Sequence, residues 1–321
     1  MNGSRLKAPD RDQKGQISIP ENAEIPSPEW QTLPTRHIPV TVVIPTRNEA
    51  RHISRCLEAA RLCSEIYVID SQSTDATVEI AHRFGAKVVQ FHYAGGWPKK
   101  RQWALDSLSF ENEWVLLLDA DEILTPELAE DVRHAIQDSR FQGYYVFLRL
   151  NFLGRPLRFG DSGFWKLSLF RSGKGRFECR LKDQDNSMGD IEVHEHVVAD
   201  GPTGTLKHWL LHENVESLSR YIAKHNEYSN WEARVLVNPE RDRELPPTLL
   251  GTQAQRRRWL KKALYRIPGS PVLLFLYRYL IRLGFLDGIP GLIYCSFQSI
   301  QMFHTKVKIY ELRSKMGRPL P

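Results

Sequence analysis

Residues Trp114–Glu122 read WVLLLDADE, so a run of five apolar side chains leads directly into a cluster of carboxylates. An unbroken apolar run of this length is typical of a strand that is buried on both faces of a parallel sheet. Upstream, VTVVI at 40–44, IYVI at 66–69 and KVVQF at 87–91 have the same character, and a helical pattern follows each of them. The alternation predicts an α/β fold, a Rossmann-like and mostly parallel sheet with flanking helices.

Capping residues mark where several of the helices begin and end. Ser73–Asp75 can cap a helix that Gly85 ends, and Thr125-Pro126-Glu127 places proline at a first helical position. Helical spacing also covers 53–62 and 99–108. Beyond Gly143 the pattern predicts strands with less regular connections at 144–150, 167–170 and 191–198. One long helix follows at about 216–235.

Polar side chains cluster where the predicted strands end. In open α/β sheets, ligands bind beyond the carboxyl ends of the strands. We therefore expect a site there that includes the following residues: Asn48 and Glu49, Asp70 and Ser71, and Asp119, Asp121 and Glu122.

The two aspartates of LLLDADE are candidates for a metal site. Asp119 and Asp121 are separated by one residue, so their side chains project to the same side of an extended segment. Two carboxylates this close repel each other unless a cation lies between them. Oxygen ligands favour Mg²⁺ or Mn²⁺ over zinc. The alternative, in which both aspartates only cap the next turn, stays open.

Downstream, VHEHV at 193–197 supplies a further carboxylate, Glu195, which could act as a general base. An ordinary acidic residue on an edge strand is the alternative interpretation. His208 and His212 lie four residues apart, which would place them on one face if the segment were helical. We expect one of them to complete the carboxylate-held metal site, while a zinc pair or a purely structural histidine remains possible.

Four segments in order, TVVIPTRNEA, IYVIDSQSTDATVEIA, KKRQWAL and LLLDADE, resemble glycosyltransferase family 2 and its nucleotide-sugar-binding GT-A fold. The resemblance runs from Thr41 to about Ala233. VHEHV, the block at 210–233 and GFLDG at 284–288 are similar to the lipopolysaccharide core β-glucosyltransferase subgroup.

The resemblance implies an inverting, metal-dependent transfer of a sugar from a nucleotide sugar, most often a UDP-sugar, to a saccharide or lipid-linked acceptor. It also implies roles for individual positions. Glu195 would be the catalytic base. The nucleoside would be bound by Pro45, Arg47, Glu49, Asp70 and Asp75, and the diphosphate by Lys100 or Arg101. Asp119 would bind both the donor and the metal. Asp121 and His212 would bind the metal.

The C-terminal region, 238–321, differs from the predicted catalytic domain at 39–237. The segment QRRRWLKKALYR combines six basic side chains with aromatic anchors, which suits an anionic lipid surface. The apolar stretch after it is interrupted by Arg278, Arg282 and Asp287, so we expect interfacial or shallowly inserted helices. A helical subdomain packed on the catalytic core and, less favoured, a spanning hairpin are the alternatives.

The remaining expectations concern the N-terminus, the charge and the compartment. Residues 1–38 are rich in proline, serine and charge, which predicts a disordered arm without a signal peptide. The 41% hydrophobic content permits a real core, and the net charge of +6 suits an anionic partner.

Four irregularly spaced cysteines favour a reducing compartment. We expect an enzyme on the cytoplasmic face of a membrane, with no nucleic-acid partner.

Two alternatives to an active enzyme remain. The chain could be an inactive relative that only binds a nucleotide sugar, although Asp119, Asp121 and Glu195 are retained. It could also be a basic membrane-surface binding module.

Overall fold

One mixed sheet organises the part of the chain that the computed structural model describes, namely residues 37–180, 190, 192, 195–213, 217–238, 246–251 and 253–317. The predicted N-terminal arm lies almost wholly outside these residues. The strands are β1 (Ile38–Thr46), β2 (Cys63–Asp70), β3 (Lys87–Gln90), β4 (Trp114–Leu117), β5 (Glu122–Leu124), β6 (Gly143–Phe152), β7 (Arg155–Pro156), β8 (Gly163–Arg171), β9 (Gly175–Phe177), β10 (Val197–Ala199) and β11 (Thr203–Glu213).

The helices follow the predicted order through the first half of the chain and continue to its end. They are α1 (Ile53–Ala60), α2 (Thr77–Arg83), α3 (Lys100–Ser107), α4 (Pro126–Ala135), α5 (Leu218–Val237), α6 (Gln253–Arg266), α7 (Ser270–Leu276) and α8 (Gly288–Lys315). A π-helical turn at Tyr277–Ile281 and a 3₁₀ turn at Gly284–Asp287 connect the last two helices.

The sheet has a parallel half and a mixed half. Its strand order is β3-β2-β1-β4-β8-β6-β11-β5, with β7 paired to β6. The strands β3, β2, β1 and β4 are mutually parallel, as the sequence predicts. Beyond β4 the strand β8 runs antiparallel to both of its neighbours, and β11 is parallel to β6 but antiparallel to β5. The α/β class with flanking helices is therefore confirmed, and its second half is a mixed sheet.

Side chains of β1 alternate between the two faces of the sheet, and each face has its own core. Val42 and Ile44 pack with α1 and α4 on one face, whereas Val43 packs with Phe91, Ala104 of α3 and residues of β8 and β9 on the other. This two-sided burial is the reason that the predicted strands read as continuous apolar runs.

Local capping positions the loops that lead into the site. Thr125 caps α4 by accepting a hydrogen bond from the backbone N–H of Leu128 at 3.3 Å, and Pro126 is the first helical residue, as predicted. Gly85 ends α2 with a positive φ of 76°, a conformation that glycine adopts without strain. Ser217 caps α5 in the same way as Thr125 caps α4, with a 3.1 Å bond from the N–H of Arg220.

The C-terminal helices pack on the end of the sheet through a separate apolar cluster. Phe152 of β6 contacts Tyr221 of α5 and Tyr294 of α8 with edge-on rings 5.6 and 5.7 Å apart. Gly284 approaches Cys295 so closely that a Cβ atom there would lie 2.7 Å from the cysteine sulfur. Within the described residues, we find no helix that combines the length and apolarity needed to cross a bilayer.

Candidate active site

The loops after β1 and β2 are held together by the carboxylate of Asp70. Its side chain is fully buried and accepts hydrogen bonds from the hydroxyl of Thr46 at 3.0 Å and the N–H of Ser73 at 2.9 Å. The amide of Gln90, at the end of β3, donates a third bond at 3.1 Å. Asp70 therefore fixes the ends of three parallel strands relative to one another.

A second set of bonds joins the same two loops at the surface. Asp75 accepts bonds from the backbone N–H groups of Ala50 at 3.1 Å and Thr77 at 3.0 Å, so it caps α2 and holds the loop after β1. Burial raises the pKa of Asp75 slightly, but the hydrogen bonds from Thr77 and Ala50 outweigh this effect and lower it. Asn48, with a positive φ of 57°, accepts a 2.8 Å bond from the N–H of Thr74.

The other predicted nucleoside-binding residues lie on the loop after β1. Pro45 is buried and Arg47 is exposed. Burial raises the pKa of Glu49, and the carboxylate lies 3.0 Å from the imidazole Nδ1 of His52.

The basic start of α3 points its cations towards the strand ends. Lys100 is buried, and its ammonium donates to the carbonyl of Thr46 at 2.7 Å and lies 3.1 Å from the carboxylate of Asp190. Burial lowers the pKa of Lys100. Arg101 forms an ion pair with Asp119 and donates to the carbonyl of Glu192 at 2.7 Å. The resemblance assigns both residues to the diphosphate. Arg101 lies beside the predicted metal ligand Asp119, and Lys100 lies beside the end of β1.

Asp119 belongs to a network of charges at the end of β4. In addition to the Arg101 pair, its second oxygen lies 3.9 Å from the ammonium of Lys166 on β8. Burial opposes ionisation of Asp119, but the charges of Arg101 and Lys166 hold its pKa well below the usual range. Lys166 also contacts both oxygens of the fully buried Glu122, at 2.5 and 2.6 Å.

Asp121 pairs with His212, one of the two candidate histidines. The imidazole Nε2 lies 3.0 Å from the carboxylate, and both side chains are mostly buried. Burial opposes the charge on each partner, but their mutual attraction raises the pKa of His212 and lowers that of Asp121. The Nδ1 atom of His212 is buried without a hydrogen-bond partner in the described part of the chain.

The two histidines do not form a zinc pair on a helix, because both lie on strand β11. The imidazole Nδ1 of His208 lies 3.0 Å from Asp131 of α4 instead. Of the two histidines, His212 lies beside Asp121, and its expected role in a metal site stays a prediction. The segment is a strand and not a helix.

The donor set suits a divalent cation that a bound phosphate completes. Asp121 and His212 offer a carboxylate and an imidazole, and Asp119 supplies a second carboxylate whose Oδ1 is held by Arg101. Among the residues described, we find no group of three acidic, histidine or cysteine side chains already arranged as a metal site. Mg²⁺-type ions are commonly held by one or two carboxylates together with substrate phosphates. The residues present therefore fit such an ion.

Glu195 lies just before β10, and it is buried with 6% of its surface exposed. It is close enough to Lys99 to oppose the lowering of the pKa of that lysine by burial. The backbone of the next residue, His196, forms two 3.0 Å bonds with Glu178: its carbonyl accepts from the N–H of Glu178, and its N–H donates to the Glu178 carboxylate. Of the predicted strand at 191–198, Val197 and Val198 belong to β10, whereas residues 191, 193 and 194 lie outside the described residues.

Three residues of this network were not among the predicted site residues. Lys166 neutralises the Asp119–Glu122 cluster, and Asp190 and Glu192 hold the start of α3. Glu192 accepts a 2.9 Å bond from the backbone N–H of Gln102, and burial raises its pKa. The only local sign of this role is that Lys166 is a single charged residue within the apolar strand FWKLSLF. Its partners Asp119 and Glu122 are distant in sequence.

The chain is similar in sequence to known glycosyltransferases. The model of glycosyl transferase family 2 matches residues 41–193. The lipopolysaccharide core biosynthesis glycosyltransferase LpsC of Rhizobium meliloti is 27% identical over 299 residues, which cover 88% of this chain and 96% of the relative. An uncharacterized glycosyltransferase of Rickettsia prowazekii is 24% identical and covers 86% and 88% of the two chains.

A solved structure with a similar arrangement is the mannosyltransferase PcManGT from Pyrobaculum calidifontis in complex with GDP-Man and Mn²⁺. It is 17% identical, with a TM-score of 0.48, over 88% of this chain and 90% of that one. The family match covers the four parallel strands, the aspartates at their ends and the basic start of α3. The chain therefore carries a glycosyl transferase family 2 domain over residues 41–193.

Proposed function

We propose that the protein transfers a sugar from a nucleotide-sugar donor to a saccharide or lipid-linked saccharide, with inversion at the anomeric carbon. One observation carries this proposal. Asp119, Asp121 and His212 lie together at the carboxyl ends of the parallel strands, and the cations of Lys100 and Arg101 lie at the same ends. Anionic ligands with a bound cation fit such a mixed cluster, because each charge on the protein finds a partner of opposite sign.

The donor would lie across the loops after β1 and β2. Pro45, Arg47 and Glu49 border this region from one loop, and Asp70 and Asp75 give both loops a fixed shape through their hydrogen bonds. The diphosphate would then face Lys100 and Arg101. Arg101 would exchange its contact with Asp119 for a phosphate oxygen, since guanidinium groups bind both kinds of oxyanion.

Asp119, Asp121 and His212 would hold the divalent cation, Mg²⁺ or Mn²⁺. When bound, this ion neutralises the charge that develops on the departing nucleoside diphosphate. The protein's own contribution is to keep Asp119 and Asp121 ionised, which the neighbouring Arg101, Lys166 and His212 favour.

Glu195 would act as the general base. Its carboxylate takes the proton of the acceptor hydroxyl, the oxygen attacks the anomeric carbon, and the bond to the diphosphate oxygen breaks on the opposite face. The leaving group departs with the bonding electron pair, and the configuration inverts. The burial of Glu195 and its proximity to the cation of Lys99 support this role.

The identity of the relatives supports a place in cell-envelope polysaccharide synthesis. LpsC is named for lipopolysaccharide core biosynthesis, and it aligns over most of both chains. We propose a related acceptor, a core or polysaccharide precursor, and a UDP-linked hexose as the donor.

We also propose that the enzyme works on the cytoplasmic face of a membrane. The segment from α7 to the start of α8 exposes many large apolar side chains, among them Val272 at 62%, Ile281 at 71% and Ile289 at 73%. Exposed apolar patches of this kind mark interaction surfaces, and arginines and lysines of α6 and the π-helical turn add positive charge nearby. An anionic lipid surface complements both properties.

Transfer is tested by the release of nucleoside diphosphate from UDP-, GDP- and dTDP-linked sugars, with Mg²⁺ or Mn²⁺ and with EDTA. Proton NMR of the transferred sugar then tests inversion. Metal-dependent release from one donor supports the proposal. Binding of a donor without turnover, when acceptors from the cell envelope are supplied, indicates an inactive relative, and no binding of any donor indicates a membrane-binding module.

A further inference from the structure

A second polar site lies beside the C-terminal helices. It is a cleft of about 590 Å³ between strands β6 and β8, the loop at 157–162 and the turns that follow α7. None of the residues to which the proposed donor and metal sites are assigned lines it. Its walls combine four arginines with four aromatic rings.

The cleft carries a clear excess of positive charge. Arg149, Arg158, Arg257 and Arg282 line it, and Asp161 is the single acid among the lining residues. Within the described ranges, the guanidinium groups of Arg149, Arg158 and Arg257 form no ion pair. Asp161 is itself shared, because it lies 4.0 Å from Arg282 and 3.5 Å from Arg278. An anion that enters the cleft would therefore meet unneutralised arginines, which bind phosphate in a bidentate manner.

Aromatic side chains form the rest of the wall. Phe147 and Trp165 face each other across β6 and β8 with edge-on rings 5.4 Å apart. Phe159 also lines the cleft, and Phe164 is 44% exposed. Ligand sites typically combine such apolar surfaces with a few placed polar groups. A sugar ring has apolar C–H faces and a polar edge, so it suits this combination better than an inorganic ion does.

The loop that bounds the cleft is held in a defined shape. Arg278 donates to the carbonyls of Gly160 at 3.2 Å and Asp161 at 3.0 Å, and the N–H of Gly160 donates to the carbonyl of Arg282 at 2.8 Å. Gly160 and Asp161 both have positive φ angles, 66° and 57°. Asp287 accepts bonds from the backbone N–H groups of Arg158 and Phe159. A wall fixed in this way loses little conformational entropy when a ligand binds.

The cleft also adjoins the strands that carry the proposed metal ligand. Arg149 lies opposite Leu211 in the register of β6 and β11, one residue from the pair of Leu150 and His212. Its guanidinium stacks on Trp209 of the same strand, 3.9 Å from the ring centroid. Because successive side chains of a strand point to opposite faces, Arg149 and His212 lie on opposite faces of the same two strands, and the cleft is a site separate from the proposed metal site.

We propose that this cleft binds a phosphate-bearing saccharide, which is the part of the acceptor that the arginines and aromatic rings recognise. The role as acceptor rests on the proposed function, whereas the binding of a sugar phosphate does not. The cleft thus selects acceptors that carry a negative charge, and neutral saccharides bind it weakly.

The test uses glucose 6-phosphate, glucose and inorganic phosphate as probes of the full-length protein, with saturation-transfer NMR to detect weak binding. UDP and Mg²⁺ are present throughout, so that the donor site is filled. The variant is Arg158→Gln with Arg282→Gln. The matched control is Arg61→Gln, just after α1, with Arg83→Gln on α2, and neither residue lines the cleft. Flotation with vesicles of phosphatidylglycerol and phosphatidylethanolamine is measured in parallel.

We expect glucose 6-phosphate to bind the wild type and the control at least about tenfold more tightly than it binds the cleft variant. In the wild type and the control, glucose 6-phosphate should also bind more tightly than glucose does. Equal binding of glucose 6-phosphate to the cleft variant and the control would overturn the proposal. So would a cleft variant that loses vesicle binding but keeps sugar phosphate binding, because the cleft would then serve a lipid headgroup. Donor turnover, measured on the same samples, reports separately on the proposed function.

Discussion

The imidazole Nε2 of His212 lies 3.0 Å from Oδ2 of Asp121, although 91 residues separate them in the chain. The contact arises because β11 pairs antiparallel with β5, which places His212 opposite Glu122 at the sheet edge. The site that follows the DADE sequence is therefore completed by a strand from the second half of the chain.

This geometry predicts that His212 contributes to metal binding. Replacement of His212 by Gln should weaken Mn²⁺ binding in the presence of UDP by about tenfold or more, since metal-site substitutions typically cost this much. Titration calorimetry measures the affinity directly. His208→Gln is the matched control, because it removes an imidazole–aspartate contact from the same strand without touching Asp121. Equal Mn²⁺ affinity in the two variants would exclude His212 from the site.

Asp75 should stabilise the fold in a pH-dependent way. Its pKa is lowered in the folded state, so its contribution is present above the unfolded value of about 4 and is lost as the pH falls through the folded value. Asp75→Ala should reduce the free energy of unfolding by about 0.5–1 kcal/mol at pH 7, the size of a helix-cap effect at an exposed position. Denaturant titrations should show this difference shrinking at acid pH. A difference that grows on acidification would contradict the assignment.

Arg258 of α6 should anchor the segment that carries Glu195. It forms a buried ion pair with Glu178, and Glu178 also accepts a bond from the N–H of His196. Arg258→Met leaves a buried carboxylate without this cation and should cost about 3–5 kcal/mol.

The double variant Arg258→Met with Glu178→Gln should recover much of that loss, because a neutral amide can still accept the His196 bond. Thermal unfolding of both variants provides the measurement. A single variant as stable as the wild type would show that the pair does not anchor the segment.

The exposed apolar segment from α7 to the start of α8 should control membrane binding. Val272→Asp with Ile289→Asp should abolish flotation with vesicles of phosphatidylglycerol and phosphatidylethanolamine, because charged groups are costly to insert into an apolar interface. Both positions lie outside the arginine cleft. Ile222→Asp with Leu250→Asp, two exposed apolar residues elsewhere, is the control. Unchanged flotation of the first variant would rule out this surface.

The first half of the fold is predictable from local pattern, whereas the second half is not. Strands such as β1 and β4 are buried on both faces and read as unbroken apolar runs. Asp70 and Asp119 directly follow the apolar runs of β2 and β4 in the sequence. The antiparallel strand β8 gives no comparable signal for its partners, because pairing with β4 and β6 is set by tertiary packing. The role of Lys166 could not be predicted for the same reason.

The most direct test of the central claim is release of nucleoside diphosphate by the wild type, Asp121→Asn and the control Asp200→Asn, whose side chain is exposed. We predict metal-dependent release from one nucleotide sugar by the wild type and the control, and a loss of at least about a hundredfold in Asp121→Asn, as expected when a group that stabilises the leaving charge is removed. Release by Asp121→Asn at the wild-type rate, or release that EDTA does not affect, would contradict the account.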